Sequence, residues 1–382
     1  MTEVQSFMLR LPLGGRIFMK ILCLYLPQFH EIYENNKWWG EGYTEWSAVK
    51  NAKPLYKGHY QPKIPLNKNY YDLSNESADT WKWQAELANN YGIYGFCIYH
   101  YWFKGHKLLE KPAEILLNHP EININYCMCW ANETWTKTWY GLESEILIKQ
   151  EYGTEDDWKN HFLYLLQFFK DKRYIKINNK PMLNIYRSHD IDGLDEMLEV
   201  WNKMAVENGF SGLYIVVANN NGQLEKRDNL IDAYYNFEPG YSLKHKMNFF
   251  QKFSYNLKIF IRQEINRIFK RRLLERIVDA RQINKIMSKK IENTSKPVFR
   301  GAFPMWDNTP RRSYKGMLYK NTTPKLFYET LMNIKKNTKN DDINFVYVNA
   351  WNEWGEGAYL EPDEKNGFQY LEAIKKVVDK RN

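Results

Sequence analysis

Cysteine is scarce in this chain, four in 382 residues, which is too few for a disulfide scaffold. Cys23, Cys97, Cys127 and Cys129 all lie in apolar runs, where a thiol packs as a small hydrophobe. Cys127 and Cys129 would share one side of a strand about 6.6 Å apart. No Cys or His pair follows them at zinc spacing, and the eight histidines are scattered. Reduced thiols, no metal and no other cofactor are expected. No stretch holds the roughly 18 uninterrupted apolar residues needed to span a bilayer. Residues 6–27 begin like a signal peptide but are broken by Arg10, Pro12, Gly14, Gly15, Arg16 and Lys20, with no small-x-small cleavage site. Residues 1–18 are therefore expected to be a leader or disordered extension, and the protein to be cytoplasmic or peripheral at an inner membrane. A Gly-rich phosphate loop is also missing, because Pro27-Gln28-Phe29-His30 follows the first strand pattern. No internal repeat of about 20–50 residues is visible.

Aromatic side chains, by contrast, are abundant: 14 Trp, 28 Tyr and 20 Phe. Many stand beside polar clusters. The C–H faces of sugars stack on such rings, although rings filling a large core give the same composition. With 44% apolar and 26% charged residues, the chain is globular rather than disordered. It is long enough for two domains or for one α/β barrel with insertions.

Short apolar runs alternate with helical patterns. Strands are expected at Lys20–Leu26, Gly92–Tyr99, Asn123–Trp130, Met182–Tyr186, Leu213–Ala218, Ala233–Phe237, Val298–Phe303 and Asn344–Ala350. Helices are expected at Asn75–Asn90, Lys111–Asn118, Glu155–Lys170, Gly193–Asn208, Gln223–Leu230, about Ser242–Glu292, Pro324–Lys336 and Gly367–Lys380. Eight strands, each followed by a helix, are the count of a (β/α)8 TIM-type barrel. The expected organisation is one such domain over 19–382, with a long basic helical insertion between strands six and seven.

That insertion carries the charge. Residues 241–296 hold 15 Lys/Arg and 4 Asp/Glu, net +11; the whole chain is +9, so the remainder is −2. Phe249, Phe250, Phe253, Leu257, Phe260, Ile261, Ile265, Ile268, Phe269, Leu273 and Ile277 recur at helical spacing within it. Such a segment fits an anionic membrane surface or a phosphate-bearing substrate. It equally fits a long barrel helix with its apolar stripe packed inward and its charges solvated. No nucleic-acid-binding module accompanies it, so no nucleic-acid partner is expected.

In a barrel the working residues stand where strands end. Those exits bring Gln28 and His30, then Trp38, Trp39, Glu41, Tyr43, Glu45 and Trp46 in the first loop; His100, Tyr101 and Trp102; Trp130, Asn132 and Glu133; Arg187; Asn219 and Asn220; Glu238; Trp306 and Asp307; and finally Trp351, Asn352, Glu353, Trp354 and Glu356. Carboxylates, amides and indoles in that number suit a neutral polyol better than a phosphate or a flat cofactor. Glu353 and Glu356 are the expected catalytic pair, since a glycosidic bond needs one carboxyl to protonate the leaving oxygen and a second as base or nucleophile. In an aromatic, partly dry cleft the two are driven apart in pKa, and Gly355 and Gly357 let the backbone turn both inward. One of them serving as a helix cap or ion-pair partner is the structural alternative. Asn132-Glu133 and Asn352-Glu353 also read as a rival pair, each Asn holding a sugar 2-hydroxyl; the plainer role of Glu133 is to bond sugar hydroxyls or Arg187. His30 and His100 fit hydroxyl binding or satisfied burial alike. Trp38, Trp39 and Trp46 fit a stacking platform or a packed lid, and Arg187 fits an acidic ligand or a barrel carboxylate.

Several motifs carry a family resemblance. Tyr25-Leu26-Pro27-Gln28-Phe29-His30, the loop from Trp39 to Trp46, Pro54 to Pro62, Tyr94-Gly95-Phe96, Tyr99 to Phe103, Trp130-Ala131-Asn132-Glu133 and Asn349 to Trp354 resemble the WbsX-type family of bacterial surface-polysaccharide clusters. The likeness covers roughly 20–375, and the family's barrel is similar to glycoside hydrolase family 99, the endo-α-mannosidases. The resemblance implies an oligo- or polysaccharide substrate, free or lipid-linked. Asn352-Glu353-Trp354-Gly355-Glu356 matches that hydrolase family's Asn-Glu-Trp-His-Glu-like setting, with Gly355 in place of the His. A retaining, substrate-assisted mechanism is implied: Glu353 deprotonates the 2-hydroxyl to give an anhydro-sugar and Glu356 protonates the leaving oxygen. The activity expected is glycosidic cleavage in O-antigen or lipopolysaccharide metabolism. A glycosyltransferase or transglycosylase using the same pocket is the alternative, and a glycan-binding protein without turnover the second.

Overall fold

The computed structural model describes residues 19–137, 145–220, 222, 224–269, 274, 276–289, 294–338 and 344–380. The extension at 1–18, and the expected helix ends at Gln223 and Glu292, lie outside the described residues. Eight parallel strands close on themselves: β1 (Lys20–Tyr25), β2 (Ile93–Phe103), β3 (Asn125–Trp130), β4 (Lys180–Ile185), β5 (Tyr214–Asn219), β6 (Ala233–Asn236), β7 (Val298–Ala302) and β8 (Phe345–Val348). Each pairs with the next, and β8 returns to β1 with Lys20 opposite Phe345 and Cys23 opposite Val348. The strands are buried on both faces, as a closed parallel sheet requires; in β1 everything from Ile21 to Tyr25 is buried. Inside, Tyr235 stacks on Tyr347 at 4.1 Å, and the Tyr347 hydroxyl donates to Asn184 Oδ1 at 2.8 Å. The four cysteines are buried and unbridged. Gly301 on β7 has no room for a side chain, since a Cβ there would sit 2.0 Å from the Asn236 carbonyl on β6.

The expected helices appear at Asp79–Asn90, Lys111–Asn118, Glu155–Lys170, Leu194–Glu207, Pro324–Asn337 and Gln369–Asp379. Residues 224–230 are not helical, so among the described residues β5 reaches β6 without the helix expected there. Between β6 and β7 the chain forms helices Gly240–His245, Phe249–Ile268 and Ala280–Met287. A strand, Arg276–Asp279, interrupts the helical insertion and pairs in parallel with Met317–Lys320 beyond β7, Arg276 opposite Met317. The apolar stripe of the long helix faces outward: Phe249, Phe253 and Phe260 are 78%, 59% and 59% exposed. No described helix is long and apolar enough to cross a membrane.

Candidate active site

A cavity of about 790 Å³ opens at the carboxyl ends of the strands. Gln28, Tyr101, Glu133, Asn220, Trp306, Glu353 and Glu356 line it, seven of the residues the sequence singles out. Glu353 sits on a short hairpin, Asn352–Glu353 paired with Ala358–Tyr359. The turn between them ends on Gly357 at φ +58°, a left-handed backbone suited to glycine. Trp354 stacks on Tyr359 at 3.7 Å and donates from Nε1 to the buried Glu361 at 2.7 Å. Glu361 also accepts from Tyr71 at 2.9 Å and Gln84 at 2.7 Å, which braces the hairpin from beneath.

Both acids meet one arginine. Arg311 Nη2 lies 2.8 Å from Glu353 Oε2, and Nη1 lies 3.3 Å from Glu356 Oε1. The same guanidinium bonds the fully buried Glu45 at 2.8 Å. Glu45 is fixed by its place at the start of helix Glu45–Asn51, where its amide donates to the Gln28 carbonyl at 3.0 Å. Burial pushes the Glu353 carboxyl up to about 8, Arg311 opposes that, and Glu356 and Glu45 add to it. Glu356 is likewise raised by burial against Arg311. Three carboxyls around one guanidinium in a dry site retain a proton at neutral pH. The Tyr99 and Tyr101 hydroxyls, raised by burial and then by Glu353, face the same cluster.

Other expected site residues have structural work instead. Successive strand residues point to opposite sides, so Tyr99 and Tyr101 enter the cavity while His100 and Trp102 turn outward to helix Glu155–Lys170. There His100 Nε2 lies 2.9 Å from His161 Nε2, and Trp102 stacks on His161 at 4.7 Å. Trp130 packs edge-on against the same His161. His30 is buried with Nδ1 3.1 Å from the Pro27 carbonyl. Trp46 is buried against Phe29, Tyr71 and Trp354, which makes it lid packing rather than a platform. Trp351 is buried against Phe96.

The two Asn–Glu dipeptides repeat one motif. Asn132 accepts from the Arg187 amide and donates to the Arg187 carbonyl, both at 2.8 Å. Asn352 does the same with Leu26, at 2.8 and 3.0 Å. Each amide therefore stitches neighbouring strand ends, with both its polar atoms bonded to backbone. Arg187 grips Glu133 at the cavity edge. Asp307 binds His59 at 2.8 Å and Thr309 at 2.6 Å, and Glu238 accepts from Ser242 at 2.6 Å; neither is a cavity wall. Trp39, Glu41 and Tyr43 line a separate shallow depression of about 380 Å³ that reaches Pro310, next to Arg311 in the chain.

The strand-exit reasoning missed Tyr99, Tyr186, Arg311 and Arg312, all of which line the cavity. Tyr99 was readable as the same-face partner of Tyr101; Arg311 lies four residues beyond Asp307 with no local pattern to mark it. Lys244, Lys252, Tyr255 and Arg276 of the insertion also line the cavity. The wall is thus more basic than a site for a neutral polyol alone. Among the described residues no group of three His, Cys, Asp or Glu side chains is placed to hold a metal ion.

The family model described as "Glycosyltransferase WbsX" matches residues 21–374. Two curated relatives from Xanthomonas campestris pv. campestris, strains B100 and ATCC 33913, each named "Uncharacterized protein WxcX", are 31% identical over 364 and 361 residues. They cover 94% of this chain but only 49% of their own length, so the chain spans about half the length of the curated relatives it matches. A GH99 endo-alpha-mannosidase from Bacteroides thetaiotaomicron superposes with TM-score 0.54 at 12% identity, over 94% of this chain and 96% of that one. A structure described as a glycoside hydrolase-like protein gives 0.56 at 14%, over 98% and 97%. What is shared at such identities is the fold.

Proposed function

Because the chain belongs to the WbsX glycosyltransferase family, we propose that it acts on glycosidic bonds of a bacterial surface oligo- or polysaccharide, in O-antigen or lipopolysaccharide metabolism, with Glu353 and Glu356 as its working carboxyls. The observation that carries this reading is their common attachment to Arg311 at the cavity wall. Glu353, the more closely held by Arg311, acts in its ionised form and takes the proton of the sugar 2-hydroxyl. That oxygen then attacks C1 as the glycosidic C–O bond breaks, and Glu356 gives its proton to the departing oxygen. Water next adds at C1 and returns a proton to Glu356, while the 2-oxygen regains its own from Glu353. Both carboxyls end as they began, and the anomeric configuration is retained. Glu133 and Gln28 serve as hydroxyl contacts, and the Trp39–Tyr43 depression as an outlying sugar subsite.

The test incubates the protein with its organism's surface polysaccharide and lipid-linked repeat unit. Glu353→Gln and Glu356→Gln should each cut turnover by about 10²-fold or more with the circular dichroism spectrum unchanged. Normal rates in both variants would end the assignment. Transfer is the second reading, favoured by the cations on the cavity wall; it expects lengthened rather than shortened chains. Glycan affinity without any product would make the protein a binder. We also place the site at an anionic membrane surface on the cytoplasmic side, supported by the exposed phenylalanines of Phe249–Ile268 and the net +11 of 241–296.

A further inference from the structure

The cavity wall carries two sets of charged side chains, an acid half and a basic half, with Lys244 felt by Glu133 and Arg312 by Glu356. One holds Glu353, Glu356 and Glu133, with Arg311 and Arg187 bonded to them. The other is lined by Lys244, Lys252, Arg276 and Arg312. None of these four takes part in an ion pair among the described residues, and no carboxylate outside the acid half lines the cavity. Lys244 and Lys252 are exposed, yet they sit on the two helices that wall the site. Arg276 is not free to swing: its Nε donates to the Tyr255 hydroxyl at 3.2 Å, Nη2 donates to the same oxygen, and its strand is laddered to Met317–Lys320.

From this arrangement we infer that the basic half is a subsite for a diphosphate ester carried by the molecule whose glycosidic bond lies at the acid half, an inference that rests on the glycan-active reading above. Four cations exceed what one sugar carboxylate can neutralise, whereas a diphosphate brings two to three negative charges and many acceptor oxygens. A guanidinium held flat by a neighbouring hydroxyl is suited to paired phosphate oxygens, and ammonium groups beside it to point-charge contacts. About 790 Å³ leaves room for a diphosphate beside a sugar. A nucleoside diphosphate and a lipid diphosphate share this chemistry. The helix bearing Lys252 and Tyr255 also shows Phe249, Phe253 and Phe260 to the outside, where an acyl or prenyl chain could lie.

The experiment is calorimetric titration of the full chain with inorganic diphosphate, uridine diphosphate and farnesyl diphosphate, with glucuronate and maltose as controls. Inorganic diphosphate should bind, and the Lys244→Glu/Lys252→Glu double variant should weaken it by about tenfold or more. Among the described residues neither lysine makes an ion pair, so the variant should melt normally; Arg276→Lys, which keeps the charge and loses the fork, should weaken binding less. Raising salt from about 50 to about 500 mM should also weaken it. Tighter binding of farnesyl than of uridine diphosphate identifies the lipid source, and the reverse order the nucleotide source. Absence of diphosphate binding, binding indifferent to the double charge reversal, or a preference for glucuronate would overturn the subsite. Glu353→Gln should leave diphosphate binding intact. A wild type that binds diphosphate but transforms no glycan would sink the catalytic reading and leave the subsite standing.

Discussion

Gly355 donates its amide to Glu45 Oε1 at 2.6 Å, and a Cβ on Gly355 would lie 2.2 Å from that same oxygen. The missing side chain is therefore a matter of space. Glu45 and the Arg311 Nε, 2.8 Å from the same virtual Cβ, fill the volume a larger residue would take. The histidine of the hydrolase pattern has no place here because a buried ion pair stands there.

Gly355→Ala should consequently destabilise the protein by about 1–3 kcal/mol and lower turnover through displacement of Glu45 and Arg311. Denaturant melts alongside rate measurements check this. An alanine variant of unchanged stability and rate would show that Glu45 can move aside freely.

Arg311 is the positioning residue for both acids. Its guanidinium lowers the proton affinity of Glu353 and of Glu356, so Arg311→Gln should shift the acidic limb of kcat/KM, set by the base Glu353, to higher pH as well as reduce the rate. In the native protein that limb should rise as pH climbs through about 8, the value reached by Glu353, which must be ionised to take the 2-hydroxyl proton. A limb that stays in place in the variant would contradict the assignment.

Stability should follow pH with a definite sign. Glu353, pushed up to about 8, and Glu238 and Glu361, each pushed up to about 7 by burial, are raised above an ordinary value of 4.5. Their protonated forms favour the fold fully below about pH 4.5, and this is lost as pH rises through 7–8. His100, depressed by burial to about 3, works oppositely, with stability present above 6.5 and lost on acidification. Above 6.5 the histidine contribution is constant, so Tm should fall between about pH 6.5 and 8 and level off above that. Glu353→Gln should flatten that fall; a Tm rising over this range in the native protein would refute it.

Asn352→Ala removes both bonds to the Leu26 backbone and should cost about 1–3 kcal/mol. If the amide only stitches strand ends, folded enzyme at low temperature keeps its KM. A large rise in KM at unchanged stability would instead restore it as a sugar ligand.

Docking of the long helix should be visible in liposome flotation. Binding should require anionic lipid, weaken with salt, and be lost in Phe253→Asp/Phe260→Asp without loss of fold. Binding equally well to neutral vesicles would point to a different use for this face.

The barrel was legible because its strands are short, buried on both faces and evenly spaced. β1 to β8 all lie within a few residues of the apolar runs that announced them. The helix expected at 223–230 failed because a polar, Gln-started stretch with helical spacing has too little apolar surface to fold as one. Glu353 and Glu356 were legible from type and place. Arg311, and the outward turn of His100 and Trp102, were not: the first depends on a loop path, the second on strand parity, which an exit list ignores. The insertion was readable as basic, but not that its lysines would line the cavity that holds the acids.

The four-residue ladder from Arg276 to Asp279 joins the excursion to the loop that carries Arg311 and Arg312. Through it Arg276, which lines the cavity, is tied to the segment that follows the two arginines. The cations that the excursion sends to the cavity and the guanidinium that joins its acids are thus anchored to a common backbone frame.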